Sequence, residues 1–415
     1  MKFNKKTHTK LPLLILAHTF FVFLTAFGQA TNFTYDEIEL VESIPIETSL
    51  DIANIRNTPE VWQEMISNAK TSLDIETFYI SSVEGEPLEI ILTEIKKAAS
   101  RGVKIRIISE AKFKTIYAEP LVTLAEIGNI EVRIIDFGKI AGGVMHAKYF
   151  IVDNEQIFLG SQNFDWRSLK HIHELGVRVR NKSIAKLFTK LFNADWIIAK
   201  ENIVAKNLFT NLKYAIPIFL NLPDRKTALI PVFSPINFLP YKNLWDEPQI
   251  VAMINNAETE INIQLLTYSP EYRGKTYYEV LDNALRKAAA RGVKVKLLCS
   301  DWSKRHPTID HLKSLSLVPN IEVKLSKIPE HTAGFIPYAR VDHCKYLLVD
   351  SDRFWIGTSN WSKDYFYNSR NVGFIINELE LAKTVKKFFE NSWNSPYAYF
   401  VDPCKEYKPP KVSGN

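Results

Sequence analysis

After an apolar N-terminal run, the hydrophobic positions of this chain alternate between a spacing that suits amphipathic helices and one that suits strands, and the alternation occurs twice. Each pass reads as an apolar helix, a strand, a second amphipathic helix ending at Arg-Gly (Arg101-Gly102, Arg291-Gly292), and a Val/Ile-rich strand. That order predicts two α/β units, each a sheet flanked by helices. The first runs from about Thr58 to Ala199 and the second from about Trp245 to Trp393. Between them Pro217, Pro223, Pro231, Pro235 and Pro240 predict a loop-rich connector. Its segment Phe233–Pro240 reads as a packed linker, with a cleft-lining or lipid-touching loop as the alternative.

The two units are copies of one another. Lys96–Arg106 (KKAASRGVKIR) recurs as Arg286–Lys296 (RKAAARGVKVK), too long a match for coincidence. Upstream, Ser72–Tyr79 corresponds to Glu260–Tyr268, and downstream Asn129–Val132 reappears as Asn320–Val323. Two such units make a pseudo-dimer within one chain.

Composition adds boundaries to this picture. With 415 residues, 46% of them apolar, the chain is long enough for two domain-sized cores. The expected division is a leader over 1–30, a first domain over 31–205, the connector over 206–244 and a second domain over 245–415. Lys2, Lys5, Lys6 and Lys10 precede an uncharged run from Leu11 to Gly28, the pattern of a signal peptide, with an uncleaved anchor as the alternative. Either way the remainder is expected to be exported. Those four lysines also account for most of the formal charge of +6, leaving +2, so net charge does not argue for nucleic acid. Cys299, Cys344 and Cys404 are too few and too scattered to predict a disulfide framework or a zinc site.

The candidate chemistry lies inside the repeat. His146-x-Lys148 is followed by Asp153, Gly160, Ser161 and Asn163, and His343-x-Lys345 by Asp350, Gly357, Thr358 and Asn360. Offsets from each histidine are the same in both copies: +2, +7, +14, +15 and +17. Residues two apart on a strand share a face, so imidazole and ammonium converge, and a turn at each aspartate returns a hydroxyl and an amide beside them. Two imidazoles among two lysines, two carboxamides and two hydroxyls suit a pentacoordinate phosphoryl transition state, with no metal or cofactor required. Aligning Gly176 with Gly373 sets Glu174 opposite Asn371, so only one copy offers a carboxylate there. Phe164 and Trp361, next to the two asparagines, read as core, with base stacking as the alternative.

These residues resemble the paired HxKxxxxD motifs of the phospholipase D superfamily. Leu40–Pro45, Asp165–Leu169, Ile336–Val341, Thr358–Ser362 and Trp393–Tyr397 look like that superfamily's animal lysosomal single-strand exonucleases, so the resemblance covers essentially the whole exported region. It implies two fused phospholipase-D-like α/β/α sandwich domains sharing one active site. It also implies 5′ to 3′ cleavage of single-stranded DNA or RNA, with turnover of glycerophospholipids as the alternative. One histidine would form a phosphohistidine, assigned to His146, while the other, His343, protonates the leaving oxygen and then activates water. Glu174 falls where the family orients a catalytic histidine. Asp153 and Asp350 are expected to hold the half-sites together. Membrane association through the N-terminal segment is compatible with that branch, and no obligate partner is implied. The chain departs from it in being shorter and poorer in cysteine, and in having a leader that reads as cleavable.

Overall fold

The repeated Arg-Gly-Val-Lys segments show how the sequence builds each sheet. In the computed structural model, which describes residues 35–201, 213–274 and 276–414, helices Pro87–Ser100 and Glu279–Ala290 both stop at that segment. Gly102 and Gly292 turn the chain at φ 92° and 96°, left-handed values that cost a Cβ-bearing residue about 1 kcal/mol or more. Arg101 Nη2 donates to the carbonyl of Ser67 at 2.8 Å and Arg291 Nη2 to that of Ile254 at 3.1 Å. Each arginine thereby ties the second helix of its copy to the end of the first. The chain then enters strands Lys104–Glu110 and Lys294–Ser300, which run parallel to Ser72–Thr77 and Glu260–Leu265.

One sheet has eight strands in the order Arg56–Asn57, Glu37–Ser43, Glu174–Arg180, Gln156–Gly160, Tyr149–Val152, Ser72–Thr77, Lys104–Glu110, Ile130–Ile135. The other has nine: Ile218–Asn221, Lys226–Ser234, Asn371–Asn377, Arg353–Gly357, Lys345–Val349, Glu260–Leu265, Lys294–Ser300, Ile321–Ser326, Ala398–Phe400. Seven strands match in order, Glu37–Ser43 through Ile130–Ile135 against Lys226–Ser234 through Ile321–Ser326, while the edges differ: Arg56–Asn57 pairs parallel, Ile218–Asn221 antiparallel, and Ala398–Phe400 has no counterpart. Lys226–Ser234 lies antiparallel to Asn371–Asn377 as Glu37–Ser43 lies antiparallel to Glu174–Arg180. This corrects the expected loop-rich connector, whose prolines masked two strands of the second sheet. Pro231 is tolerated because it lies beyond the residues that pair with Ile218–Asn221, where its strand is an edge. Phe233, Ser234, Pro235, Leu239 and Pro240 are buried, so Phe233–Pro240 is largely packed.

Each sheet is covered on one face by a helix pair and on the other by one long helix, Lys182–Glu201 or Leu379–Asn394. The long helices and the inner faces share one core, to which the first copy gives Tyr149 and Phe188 and the second Tyr346, Phe374 and Phe388. The described residues pack as one unit.

Asp153 and Asp350 sit in left-handed turns at φ 55° and 50°. Asp153 Oδ1 accepts from the backbone N–H groups of Thr71 and Ser72 at 2.7 and 3.0 Å, and Asp350 Oδ1 from those of Thr259 and Glu260 at 2.8 and 3.1 Å. They clamp the start of the central strand within each copy rather than touching the histidines. The leader read over residues 1–30 lies outside the described residues. Among the described residues no helix is long and apolar enough to cross a membrane.

Candidate functional site

His146 and His343 lie just upstream of strands Tyr149–Val152 and Lys345–Val349, in segments that dock on the opposite copy. The His146 N–H donates to the carbonyl of Arg370 at 2.9 Å and the His343 N–H to that of His173 at 2.8 Å. Lys148 Nζ and Lys345 Nζ reach back to the carbonyls of His146 and His343, both at 2.7 Å. Asn163 and Asn360 line the same cleft, of about 340 Å³, and their buried Oδ1 atoms have no partner among the described residues. The two half-sites therefore meet, and each asparagine retains an acceptor without a donor beside the cleft.

The supports of the two rings cross between copies. Glu174, from the first copy, has Oε1 2.5 Å from His343 Nδ1 of the second, and Ser168 Oγ donates to its other oxygen. Asn371, from the second copy, has Oδ1 3.1 Å from His146 Nδ1. Asn371 Nδ2 donates to Ser234 Oγ and to the carbonyls of Tyr365 and Ser369. Its amide is thereby oriented, so His146 Nδ1 carries the hydrogen and Nε2 keeps its lone pair. The carboxylate singled out by the sequence alignment thus serves the histidine of the other copy.

Burial dominates the electrostatics. It lowers both histidines well below their usual range, with Lys148 and Lys345 pushing the same way. Burial likewise depresses Lys148, and brings Lys345 down to about 7. It raises Glu174 to about 8. Two lysines crowded with two imidazoles in a buried site favour an anion beside them, which would return them toward their charged forms.

Some residues read from the sequence have other roles. Ser161 Oγ donates to the carbonyl of Leu175 and accepts from its N–H, and Thr358 Oγ1 donates to Asn371 Oδ1, so neither hydroxyl is aimed at substrate. Phe164 stacks on Trp62 in the first copy's core at 4.4 Å, and Trp361 is buried in the second, which removes base stacking from both. The aromatic wall comes from residues that the sequence reading missed. Phe78 and Tyr365 meet the His146 ring edge-on at 5.0 and 4.9 Å, and Tyr79 and Tyr117 stack at 5.0 Å and 25°. Phe78-Tyr79 closes the repeated Ser72–Tyr79 segment, where a strand running into two aromatics was the available signal.

Against known proteins, residues 63–196 and 250–393 each match the family described as cardiolipin synthase, PLD-like domain. The chain is 33% identical over 406 residues to the 5′-3′ exonuclease PLD3 of Xenopus laevis, covering 89% of this chain and 82% of that one. It is 32% identical over 387 residues to phospholipase D Z of Dictyostelium discoideum, covering 88% and 90%. The solved phosphatidylserine synthase of Haemophilus influenzae Rd KW20 superimposes with a TM-score of 0.60 at 14% identity, covering 83% of this chain and 85% of that one, and so shares the fold.

Proposed function

This chain belongs to the phospholipase D-like family, and from that premise we propose that it removes nucleotides from the 5′ end of single-stranded nucleic acid through a phosphohistidine. It is a phosphodiester hydrolase. The observation that carries the finer reading is the cluster of aromatic rings lining the cleft, Phe78, Tyr79, Phe113 and Tyr117, with Phe78 edge-on to His146 at 5.0 Å. Stacking on such rings is worth about 1–3 kcal/mol per base and is indifferent to sequence.

In this reading His146 Nε2 attacks phosphorus, and the bond to the 5′ oxygen of the next nucleotide breaks. His343 gives that oxygen its proton, its ring held by Glu174 Oε1. A carboxylate stabilises an imidazolium better than an amide does, which suits His343 to the acid role and neutral His146 to attack. Lys148 Nζ, Lys345 Nζ and the Nδ2 groups of Asn163 and Asn360 donate to the non-bridging oxygens. His343 then takes a proton from water, whose oxygen displaces the histidine and releases a nucleotide 3′-phosphate.

A second reading, phospholipid hydrolysis or phosphatidyl transfer, is favoured by the Dictyostelium relative's name and by the exposed Ile116 at the rim of the cleft. The test incubates the purified full chain, without added metal, with 5′-labelled single-stranded oligonucleotide and separately with phosphatidylglycerol vesicles. Release of the label in the first mononucleotide, followed by stepwise shortening of the unlabelled remainder, is expected. Lipid turnover without nucleotide release would replace the first reading by the second. Export of the chain, read from Lys2–Gly28, belongs to the same proposal and is checked by fractionating the host cell.

A further inference from the structure

Behind the catalytic pair, on the other face of the segments carrying Glu174 and His343, the side chains of His173, Asp342 and Cys344 converge. Their candidate ligand atoms all lie within 4.8 Å of one another, and the three residues are 0%, 1% and 0% exposed. Among the described residues neither ring nitrogen of His173 has a hydrogen-bond partner. The nearest carboxylate oxygen, Asp342 Oδ1, stands 3.6 Å from Nδ1, beyond hydrogen-bond range. A buried imidazole with both nitrogens bare calls for an unseen partner. Asp342, by contrast, is already oriented. Its Oδ2 accepts from Gln264 Nε2 at 2.6 Å, and Gln264 Oε1 accepts from Tyr346 Oη, leaving Oδ1 facing His173.

The internal duplication supplies a second, independent observation. The counterparts of His173, Asp342 and Cys344 in the alignment of the copies are Arg370, Met145 and Ala147. Arg370, 0% exposed, donates to Asp195 Oδ2 and Oδ1 at 2.8 Å each and to the carbonyl of Ser234 at 2.9 Å. One side of the pseudo-dimer thus places a cation of its own at this position. The other presents a carboxylate, a thiol and a bare imidazole, and no lysine or arginine ion pair to Asp342 among the described residues.

We propose that His173, Asp342 and Cys344 bind one divalent cation of the zinc class, which fastens the two copies together behind the catalytic histidines. Nitrogen, oxygen and sulfur together are the ligand types that zinc accepts, and oxygen held by an outer hydrogen bond, here from Gln264, is the usual companion of such a site. Metal–ligand bonds of about 2.0–2.3 Å put tetrahedral ligand atoms about 3.3–3.8 Å apart, so the cluster has to close by about 1 Å. On binding, the Cys344 Sγ–H bond breaks, a sulfur–metal bond forms, and the proton leaves to solvent. Thiolate, carboxylate, neutral imidazole and dication sum to zero charge, which is what a buried site requires.

The test produces the full chain in zinc-supplemented medium, dialyses it into metal-free buffer, and measures zinc per chain by plasma mass spectrometry for the wild type, Cys344→Ser and His173→Gln. About one zinc per wild-type chain is expected, with less than about a tenth of that in either variant. Because a misfolded variant would also lose metal, two measurements use the wild type alone. Cobalt(II) loading should give a thiolate-to-cobalt absorption band, and stripping with chelator should lower the melting temperature, which zinc then restores. A wild type that carries no zinc and melts identically with and without it overturns the proposal. So does equal zinc content in the wild type and both variants.

Discussion

At His146 the partner of Nδ1 is an amide oxygen, whereas at His343 it is a carboxyl oxygen, and the proposed division of roles rests on that difference. His146→Ala should abolish an acid-labile phosphoenzyme, while His343→Ala should still form it slowly and fail to turn it over. Rapid-quench labelling checks this, and the opposite pattern exchanges the assignments. A residue away from the site carries a pH effect. Burial raises the Glu42 carboxyl from 4.5 to about 8, while Oε1 accepts from the Ile52 N–H at 3.1 Å. The folded chain keeps a proton there that the unfolded chain releases, so this contribution to stability falls as pH rises from about 5 to about 8. Glu42→Gln keeps the Ile52 bond and cannot ionise. Its melting temperature relative to the wild type should therefore climb over that interval; a constant difference contradicts the argument. Histidine, lysine and asparagine were legible from the sequence because their chemistry depends on fixed local offsets. The partner that each histidine takes was not, because Glu174 and Asn371 act across the duplication, 169 and 225 residues from the rings they hold.

Strands and turns carry the repeat. The Arg-Gly-Val-Lys segment was readable as a helix stop because glycine at positive φ and a short link to a strand are local requirements. Lys226–Ser234 was not, since proline argues against a strand unless the strand is an edge there, and edge status is a property of the assembled sheet. The turn aspartates show the same division between local chemistry and assembled role. Asp350 accepts from three successive backbone N–H groups, those of Glu258, Thr259 and Glu260, as well as from Thr259 Oγ1. Asp350→Ala should cost about 1–3 kcal/mol of stability. Urea denaturation gives that figure, and the folded fraction should keep a near-normal turnover number. A large fall in turnover at unchanged stability would place Asp350 in the chemistry instead.

Across the whole molecule, the two copies are joined by the shared core and by the buried pair Arg370–Asp195, which links the second copy's strand region to the first copy's long helix. Asp195→Asn removes the carboxylate hydrogen-bonded to the Arg370 guanidinium and leaves only the neighbouring Glu76 carboxyl to compensate it, a change worth up to about 3–5 kcal/mol. Calorimetry should show the loss as a lower melting temperature of the entire chain, since the described residues pack as one unit; a loss confined to one copy's transition would contradict that. The fold class was legible because duplication doubles every signal. The cluster of His173, Asp342 and Cys344 was not, because no local spacing announces residues that only the docked copies bring together. The inequality between Glu174 and Asn371 reaches further still. A twofold-symmetric cleft would accept a strand in either orientation and cut it equally well both ways. In the proposed mechanism one wall would donate the proton and the other make the attack, so a polymer with distinct ends would have one productive direction of entry. Under that proposal the polarity of digestion would be set by a single carboxylate facing a single amide.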